Sequence, residues 1–508
     1  MPDAPILKYP NHLTPNSASS LPLSALLLFL IVGQAFPTEF RTDVQSSGNK
    51  LAAGHIDLRN VNPLKIDLPH RPQWIVGSPW KNGLLWSIQF TDLTTSHFFV
   101  LGRQVEELDL SNEMPGQTIL ARLSAPPGSG SFTIPSNQSP SADSHPVRIS
   151  PSSGSVWLDK SGNLVQQFGN TTRTLPLNAL PDARLAHNSR DTIAVLSDPT
   201  TSYIHNVLGD IYEAASISLV RIHPNAVNQP QLIRKITMQN NWVIEGISPI
   251  FADWDGDGSL EVLVTRSRSG DGGQLALFSM NGDLLATSAS IGRSFRWRHQ
   301  IAIAPFSPEP DSPPLLAAVL TPHIGGVIEY FQWDGPQSNS IKPVHRLAGF
   351  TSHIIATRNL DMAVAGDFLN DGRPSLLIPS QSRSSLGIIR LDTNGPQVIH
   401  SIPLASPITT NIGVATMIDG SLAAAVGTSD NSFTILQKHE IPLSPYLQAT
   451  APNQLEIYGS PDTTHQLESS PNTSDWFPVT TLTIPESGSA TIPLSNTDSP
   501  IFYRTRSQ

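Results

Sequence analysis

The chain has 508 residues, too many for one ordinary core and enough for a large repeat domain beside a smaller one. Only 14 % of residues are charged, 45 are proline and none is cysteine. That suits a loop-rich all-β protein and excludes disulfides, thiolate zinc sites, c-type haem and lipid attachment through an N-terminal cysteine, while a net charge of −10 argues against nucleic acid as a main partner.

Residues 1–35 read as a signal peptide. The segment 21–35 is an apolar h-region, and Gly33 and Ala35 supply small residues for cleavage after Ala35. Its continuous apolar core, Ala25 to Val32, is far shorter than the roughly 18 residues of a membrane span, so no span is expected in the mature chain. An exported chain without cysteine suits a secreted or cell-envelope protein of bacterial type. The sequons at Asn137, Asn170 and Asn472 matter only in a host that glycosylates them.

Internal repeats govern residues 36–442. Turns at Ser161-Gly162-Asn163, Asn281-Gly282-Asp283, Asp334-Gly335-Pro336 and Asn394-Gly395-Pro396 place their glycines 120, 53 and 60 residues apart, with a divergent copy near Arg221 to Asn225 filling the first gap. A second element, Asp257-Gly258-Ser259-Leu260, recurs at Asp371-Gly372 and Asp419-Gly420, spaced by 114 and 48. Both series give a repeat of about 50–60 residues. The fourth repeat reads as four short strands, Ile250 to Asp253, Leu260 to Thr265, Leu275 to Ser279 and Leu284 to Ser288. Four strands per repeat in a radial array describe a β-propeller of roughly seven blades. The Asn-Gly and Asp-Gly pairs are expected in two-residue hairpins with both central residues at positive φ.

The stretch Asp253-Trp254-Asp255-Gly256-Asp257-Gly258-Ser259-Leu260-Glu261 carries the clearest chemistry. Carboxylates stand at positions 1, 3, 5 and 9 with glycine at 6, an array of hard oxygens suited to Ca²⁺. An EF-hand would need Glu at position 12 and flanking helices, but Val264 stands there in a β-branched run. The loop therefore joins two strands. A plain acidic turn is the bland alternative.

Ile441 to Pro445 reads as a linker. Beyond it, residues 446–508 alternate in polarity, as in Gln454-Leu455-Glu456-Ile457-Tyr458, and form a separate small β-sandwich.

Phe251 to Val264 resembles an FG-GAP or VCBS-type repeat, as in integrin-like propellers, and Ala363 to Gly372 resembles a degraded second copy. The resemblance implies Ca²⁺ held by Asp253, Asp255, Asp257 and Glu261 with the backbone oxygen of Ser259. The family usually has Asp where Glu261 stands. In the second copy Leu369 and Ser375 replace two ligands, so no tight calcium is expected beside Asp367 and Asp371. The C-terminal stretch is similar in layout to a fibronectin type III module, which implies an accessory role.

Catalytic signatures are missing. There is no Gly-x-Ser-x-Gly elbow, no P-loop, and His439-Glu440 lacks the second histidine of a zinc-protease helix. Carboxylates held on a metal would make poor proton donors, so a glycosidase pair in the acidic loop loses to calcium. Arg296, Trp297 and Arg298 are a possible ligand surface, with Trp297 packed between blades as the bland reading. Trp74, Trp80 and Trp86 likewise suit binding or blade packing. The sequence points to an exported, non-enzymatic propeller that binds a polysaccharide or an envelope or extracellular protein. The runner-up is a secreted calcium-dependent, lyase-like polysaccharide enzyme; a third reading is a purely structural surface protein.

Overall fold

The computed structural model describes residues 47–109 apart from 81–82 and 93; residue 147; 154–188 apart from 169–170; 190–438 apart from 224–227 and 418–419; and 446–507 apart from 452–453, 460–461, 471–474, 486–488 and 494–501. The expected leader, the asparagines of the three sequons, the linker 441–445 and Asp419 lie outside the described residues, as does the side chain of Trp80. Among the described residues no helix is long and apolar enough to cross a membrane.

Among the described residues, apart from one turn of 3₁₀ helix at Leu58–Asn60, the regular structure is β. The described residues of Thr38–Ser78 and Leu85–Lys438 form one compact unit; those of His439–Gln508, with Pro79–Leu84, form another.

Among the described residues the strands of the larger unit, with the strand ends inside Pro79–Leu84, make a β-propeller of seven blades. Blade 1 is Pro72–Trp80, Gly83–Phe90, Thr95–Leu101 and Gln104–Leu108. Blade 2 holds Val147, bridged to Val156, then Ser155–Leu158, Asn163–Phe168 and Thr171–Pro176. Blade 3 is Ala186–His187, Thr192–Thr200, Glu213–Arg221 and Gln231–Thr237; blade 4 is Ile250–Ala252, Glu261–Arg268, Gly272–Ser279 and Leu284–Ser288. Blade 5 is Arg298–Ala304, Leu315–Leu320, Val327–Trp333 and Ser340–Ala348; blade 6 is Val364–Asp367, Ser375–Pro379, Ser385–Asp392 and Gly395–Pro403. Blade 7 has Gly413–Thr416, Leu422–Thr428 and Ser432–Leu436 from the end of the unit, and takes its outer strand, Leu64–Asp67, from the beginning. That strand pairs antiparallel with Ser432–Leu436, Leu64 opposite Ile435.

Burial follows from this arrangement. The second and third strands are covered on both faces by neighbouring blades, so they read as apolar runs rather than alternations, and Leu422–Thr428 is buried throughout. The outer strands meet solvent and are largely polar, as in Gln231–Thr237. The apolar clusters lie between blades: one joins Ile250, Leu263 and Leu277 of blade 4 to Ile303, Leu316 and Phe331 of blade 5. Trp254 and Trp333 belong to that cluster, and Trp74, Trp86 and Trp157 are buried as well, so Trp74 and Trp86 are not an exposed binding surface.

Two turn expectations change. Gly282 and Gly335 lie between third and fourth strands and Gly395 opens the fourth strand of blade 6, but Gly162 lies between the second and third strands of blade 2 and is out of phase with them. Only the glycine of each pair takes positive φ (Gly282 at 92°, Gly335 at 77°, Gly395 at 104°), while Asn281, Asp334 and Asn394 do not. The Asn281-Gly282 turn is longer than two residues, with Gly282 N–H donating to Ser279 O and Ser279 N–H to Asp283 O.

A segment of the chain runs along the inner strands of blades 4 to 7. Ser47 O accepts from Phe251 N–H of blade 4, and Asn49 exchanges hydrogen bonds with both backbone groups of Ile303 in blade 5. Lys50 bonds Ile301 and Ala365, Leu51–His55 runs parallel to Val364–Asp367, and His55 N–H reaches Gly420 O. This axial strand thus touches blades 4 to 7 in turn.

The smaller unit has two three-stranded antiparallel sheets, Tyr446–Ala451, Gln454–Tyr458 and Ser489–Pro493, and Thr464–Ser470, Phe477–Thr483 and Phe502–Ser507. Leu455, Ile457, Leu467, Ile484 and Ile492 form a shared apolar cluster.

Candidate functional site

Antiparallel order places the loops between first and second strands, and between third and fourth, at one end of each blade; the loops between second and third strands, and between blades, lie at the other. The acidic loop joins the first and second strands of blade 4. Ala252 pairs with Glu261, which brings the ends of the motif together. Trp254 is fully buried: its Nε1–H donates to Pro314 O at 2.8 Å and its ring packs on Trp333. That anchor turns the alternate acidic residues outward. Gly256 and Gly258 hold φ of 76° and 88°, the left-handed region that favours glycine.

The structure gathers Asp253, Asp255 and Glu261, one carboxylate oxygen of each lying within 4.8 Å of the others. Gly258 N–H donates to Asp253 Oδ2 at 3.0 Å and Trp254 N–H to Glu261 Oε2 at 2.8 Å. Asp253 Oδ1 is buried with no hydrogen-bond partner. Burial pushes the Glu261 carboxyl up to about 7, and the charges of Asp255, Asp253 and Asp257 act in the same direction against the Trp254 hydrogen bond. An orphaned buried oxygen, a carboxyl crowded by three others and an all-oxygen donor set fit a hard divalent cation. Asp257 stands outside the cluster of three; its Oδ1 accepts from Ser259 N–H at 2.7 Å.

The corresponding loop of blade 6 is neutralised differently. Asp367 accepts from the N–H groups of Asp371 and Gly372, Leu369 is buried, and Ser375 Oγ donates to Gly366 O. Buried Arg390 donates from Nη2 to Asp371 Oδ1 at 2.7 Å. Burial works upward on the Asp371 carboxyl, but Arg390 outweighs it and holds the group below the usual range.

The opposite face is built by loops 201–212, 289–297, 321–326 and 349–363. Val207 and Leu208 bury against Ile247, Trp297 and Leu360, so the loop from blade 3 meets the segment between blades 5 and 6; Ala356 N–H donates to Val207 O at 2.8 Å. Beneath lies a network of buried charge. Arg184 Nη1 pairs with Asp361 at 2.9 Å, and Lys50 Nζ lies 3.8 Å from the same carboxylate. Lys50 also donates to Leu360 O and to His299 Nε2, which leaves His299 Nδ1–H to donate to Ser352 Oγ at 2.8 Å. Burial lowers Lys50 to about 8, with Asp361 opposing and Arg184 assisting. His353 Nε2–H donates to Thr357 O, so its Nδ1 accepts from His323 Nε2 at 2.6 Å. Burial depresses His323 to about 4 and His353 to about 3. A cavity of about 30 Å³ lined by Lys50, Arg184, Trp297, His299 and Asp361 admits only a water or two.

At the edge of this network Tyr203 stacks on Phe295 with centroids 5.2 Å apart, and His205, bonded through Nδ1 to buried Glu245, lies against both rings. Phe295 N–H donates to Tyr203 Oη at 2.6 Å. The cluster 296–298 is therefore not a surface as a whole. Trp297 is 2 % exposed between stacked His299 and His323, and Arg298 is buried with its Nε 2.7 Å from Glu329 Oε2, because both lie at the start of the inner strand of blade 5. Arg296 alone of the three reaches solvent.

No family model and no curated protein matches the chain. Among solved structures, the WD40 domain of Toxoplasma gondii coronin aligns with a TM-score of 0.35 and 9 % identity over 76 % of this chain and 88 % of that one. BBS1N, from its complex with ARL6DN, aligns at 0.40 and 10 % identity over 75 % and 98 %. Saccharomyces cerevisiae Sqt1 aligns at 0.35 and 10 % over 75 % and 99 %. Likeness at this level says nothing about partners or chemistry.

Proposed function

We propose that the chain is an exported, non-enzymatic propeller of FG-GAP or VCBS type that binds a polysaccharide or an envelope or extracellular protein, with Ca²⁺ bracing the blade 4 loop through Asp253, Asp255 and Glu261 and the fibronectin-III-like C-terminal sheets as an accessory module. One observation carries the binding role. Ile204, Ile211, Tyr212, Phe295, Ile324 and Ile355, all between 43 and 65 % exposed, sit on loops of a single face. The other exposed large apolar residues of this unit, such as Leu232 and Val398, stand on outer strands. A one-sided gathering of this kind marks interaction surfaces.

The lyase-like alternative loses support on geometry. It asks for a base beside Ca²⁺ in an axial pocket, where Leu51–His55 pairs with the inner strand of blade 6. The best-oriented histidine, His205 on Glu245, lies at the blade end opposite the acidic loop.

The test offers the full chain to a glycan array and to immobilised envelope-protein extracts of known composition, beside a lyase assay on uronic-acid polymers. Saturable binding that Phe295→Asp with Ile355→Asp abolishes, without turnover, is expected. Turnover of a uronic-acid polymer, or binding indifferent to those substitutions, would sink the reading.

A further inference from the structure

The tip 291–296 is a rigid device rather than a slack connection. Gly292 N–H bonds Asp271 O, Ile291 N–H bonds Gly273 O, Gly273 N–H bonds Arg296 O, and Ser294 Oγ accepts from Gly270 N–H. Within it Phe295 adopts φ of 55°, a conformation that is an outlier for a bulky side chain. Glycine would take that conformation without strain. The reversal throws the Phe295 ring outward while Trp297, two residues on, turns into the core. A bulky residue held in that conformation with its ring exposed is the kind of local strain that clusters at ligand clamps and other functional sites.

The charge at the tip has one sign. Arg293 is exposed and forms no ion pair among the described residues; Arg296 donates from Nη1 only to Phe295 O. Most acids nearby are committed, Asp271 to Arg268 at 2.5 Å, Asp210 to Arg358 at 2.7 Å, Asp361 to Arg184 and Glu245 to His205, while Glu213 is buried beneath Tyr203 and held toward its neutral form by desolvation and then by Glu245. On a chain of net charge −10, two uncompensated cations thus flank an exposed aromatic ring.

We infer that this tip docks a short segment of a partner protein in which a carboxylate stands beside an aromatic or large aliphatic side chain. Arg293 and Arg296 take the carboxylate, and the Phe295–Tyr203 pair with Ile355 takes the apolar group. The inference rests on the binding role proposed above and narrows its partner. Acidic glycans share the carboxylate but suit the surface less well. Ile204, Ile324 and Ile355 would desolvate sugar hydroxyls without bonding them, and a preformed tip spares a peptide part of its ordering cost.

The experiment selects displayed random peptides on the immobilised full chain, then measures one enriched synthetic peptide on variants whose melting temperature equals the parent's. Enrichment of Asp or Glu next to Phe, Tyr, Trp or Leu is expected. Affinity should fall by about tenfold or more with Arg293→Glu plus Arg296→Glu, and with Phe295→Ala, yet stay within about threefold with both arginines changed to lysine. Enriched peptides without acids, or indifferent to charge reversal, overturn the inference while leaving the binding role intact. Failure of any peptide, together with uronic-acid polymer binding that charge reversal abolishes, overturns the protein partner in favour of a glycan. No binding of either class removes the binding role too.

Discussion

Glu261 shows how one residue can be both cost and purpose. It is buried, crowded by three aspartates and solvated by a single N–H. A divalent cation converts that crowding into coordination, so calcium is expected to raise the melting temperature of the larger unit above its value in EDTA. Glu261→Gln should abolish the difference and, in EDTA, melt no lower than the parent, because it removes an ill-solvated carboxyl. Identical melting curves with calcium and EDTA for the parent chain would exclude an occupied site. The acidic spacing was readable in the sequence because its parts lie within nine residues. What spacing could not give is that buried Glu261 gathers with Asp253 and Asp255 while Asp257 spends an oxygen on Ser259 N–H.

Among elements, the strands of blade 4 were legible to within a few residues, since apolar runs bounded by Gly and Asp are local signals. The network under the interblade loops was not, because Lys50 meets residues such as Leu360 and His299 that are remote in the chain. Its histidines predict an acid response. His323 and His353 have folded values near 4 and 3 against an ordinary 6.5, so the unfolded chain takes up protons first as pH falls. Their contribution is complete above about pH 6.5 and is lost progressively toward pH 4 and below. Buried Glu213, raised well above its ordinary value by desolvation and then by Glu245, works in the opposite sense. His353→Gln should therefore flatten the loss of melting temperature between pH 6.5 and 4.5; an unchanged slope would assign that loss to other groups.

For the whole molecule, the spacing of turns and acidic loops showed room for roughly seven repeats, but not the source of the last strand. Closure depends on cross-strand pairing between Leu64–Asp67 and Ser432–Leu436, and such pairing leaves no local mark in either segment beyond β propensity. Removal of residues 1–68 takes away both the closing strand and the axial strand. The shortened chain is expected to lose the cooperative unfolding transition of the larger unit, followed by circular dichroism in the far ultraviolet. A transition retained at the parent's temperature would show that neither strand is needed for closure.

The axial strand and the closing strand leave the ribosome before any blade exists. Leu51 must wait for Ala365, His55 for Gly420 and Leu64 for Ile435. Pairings so far apart in sequence make folding slow and leave a long interval with exposed strand edges. A segment made before its partners cannot pair until they follow, and until then its unpaired edges must be kept from aggregation.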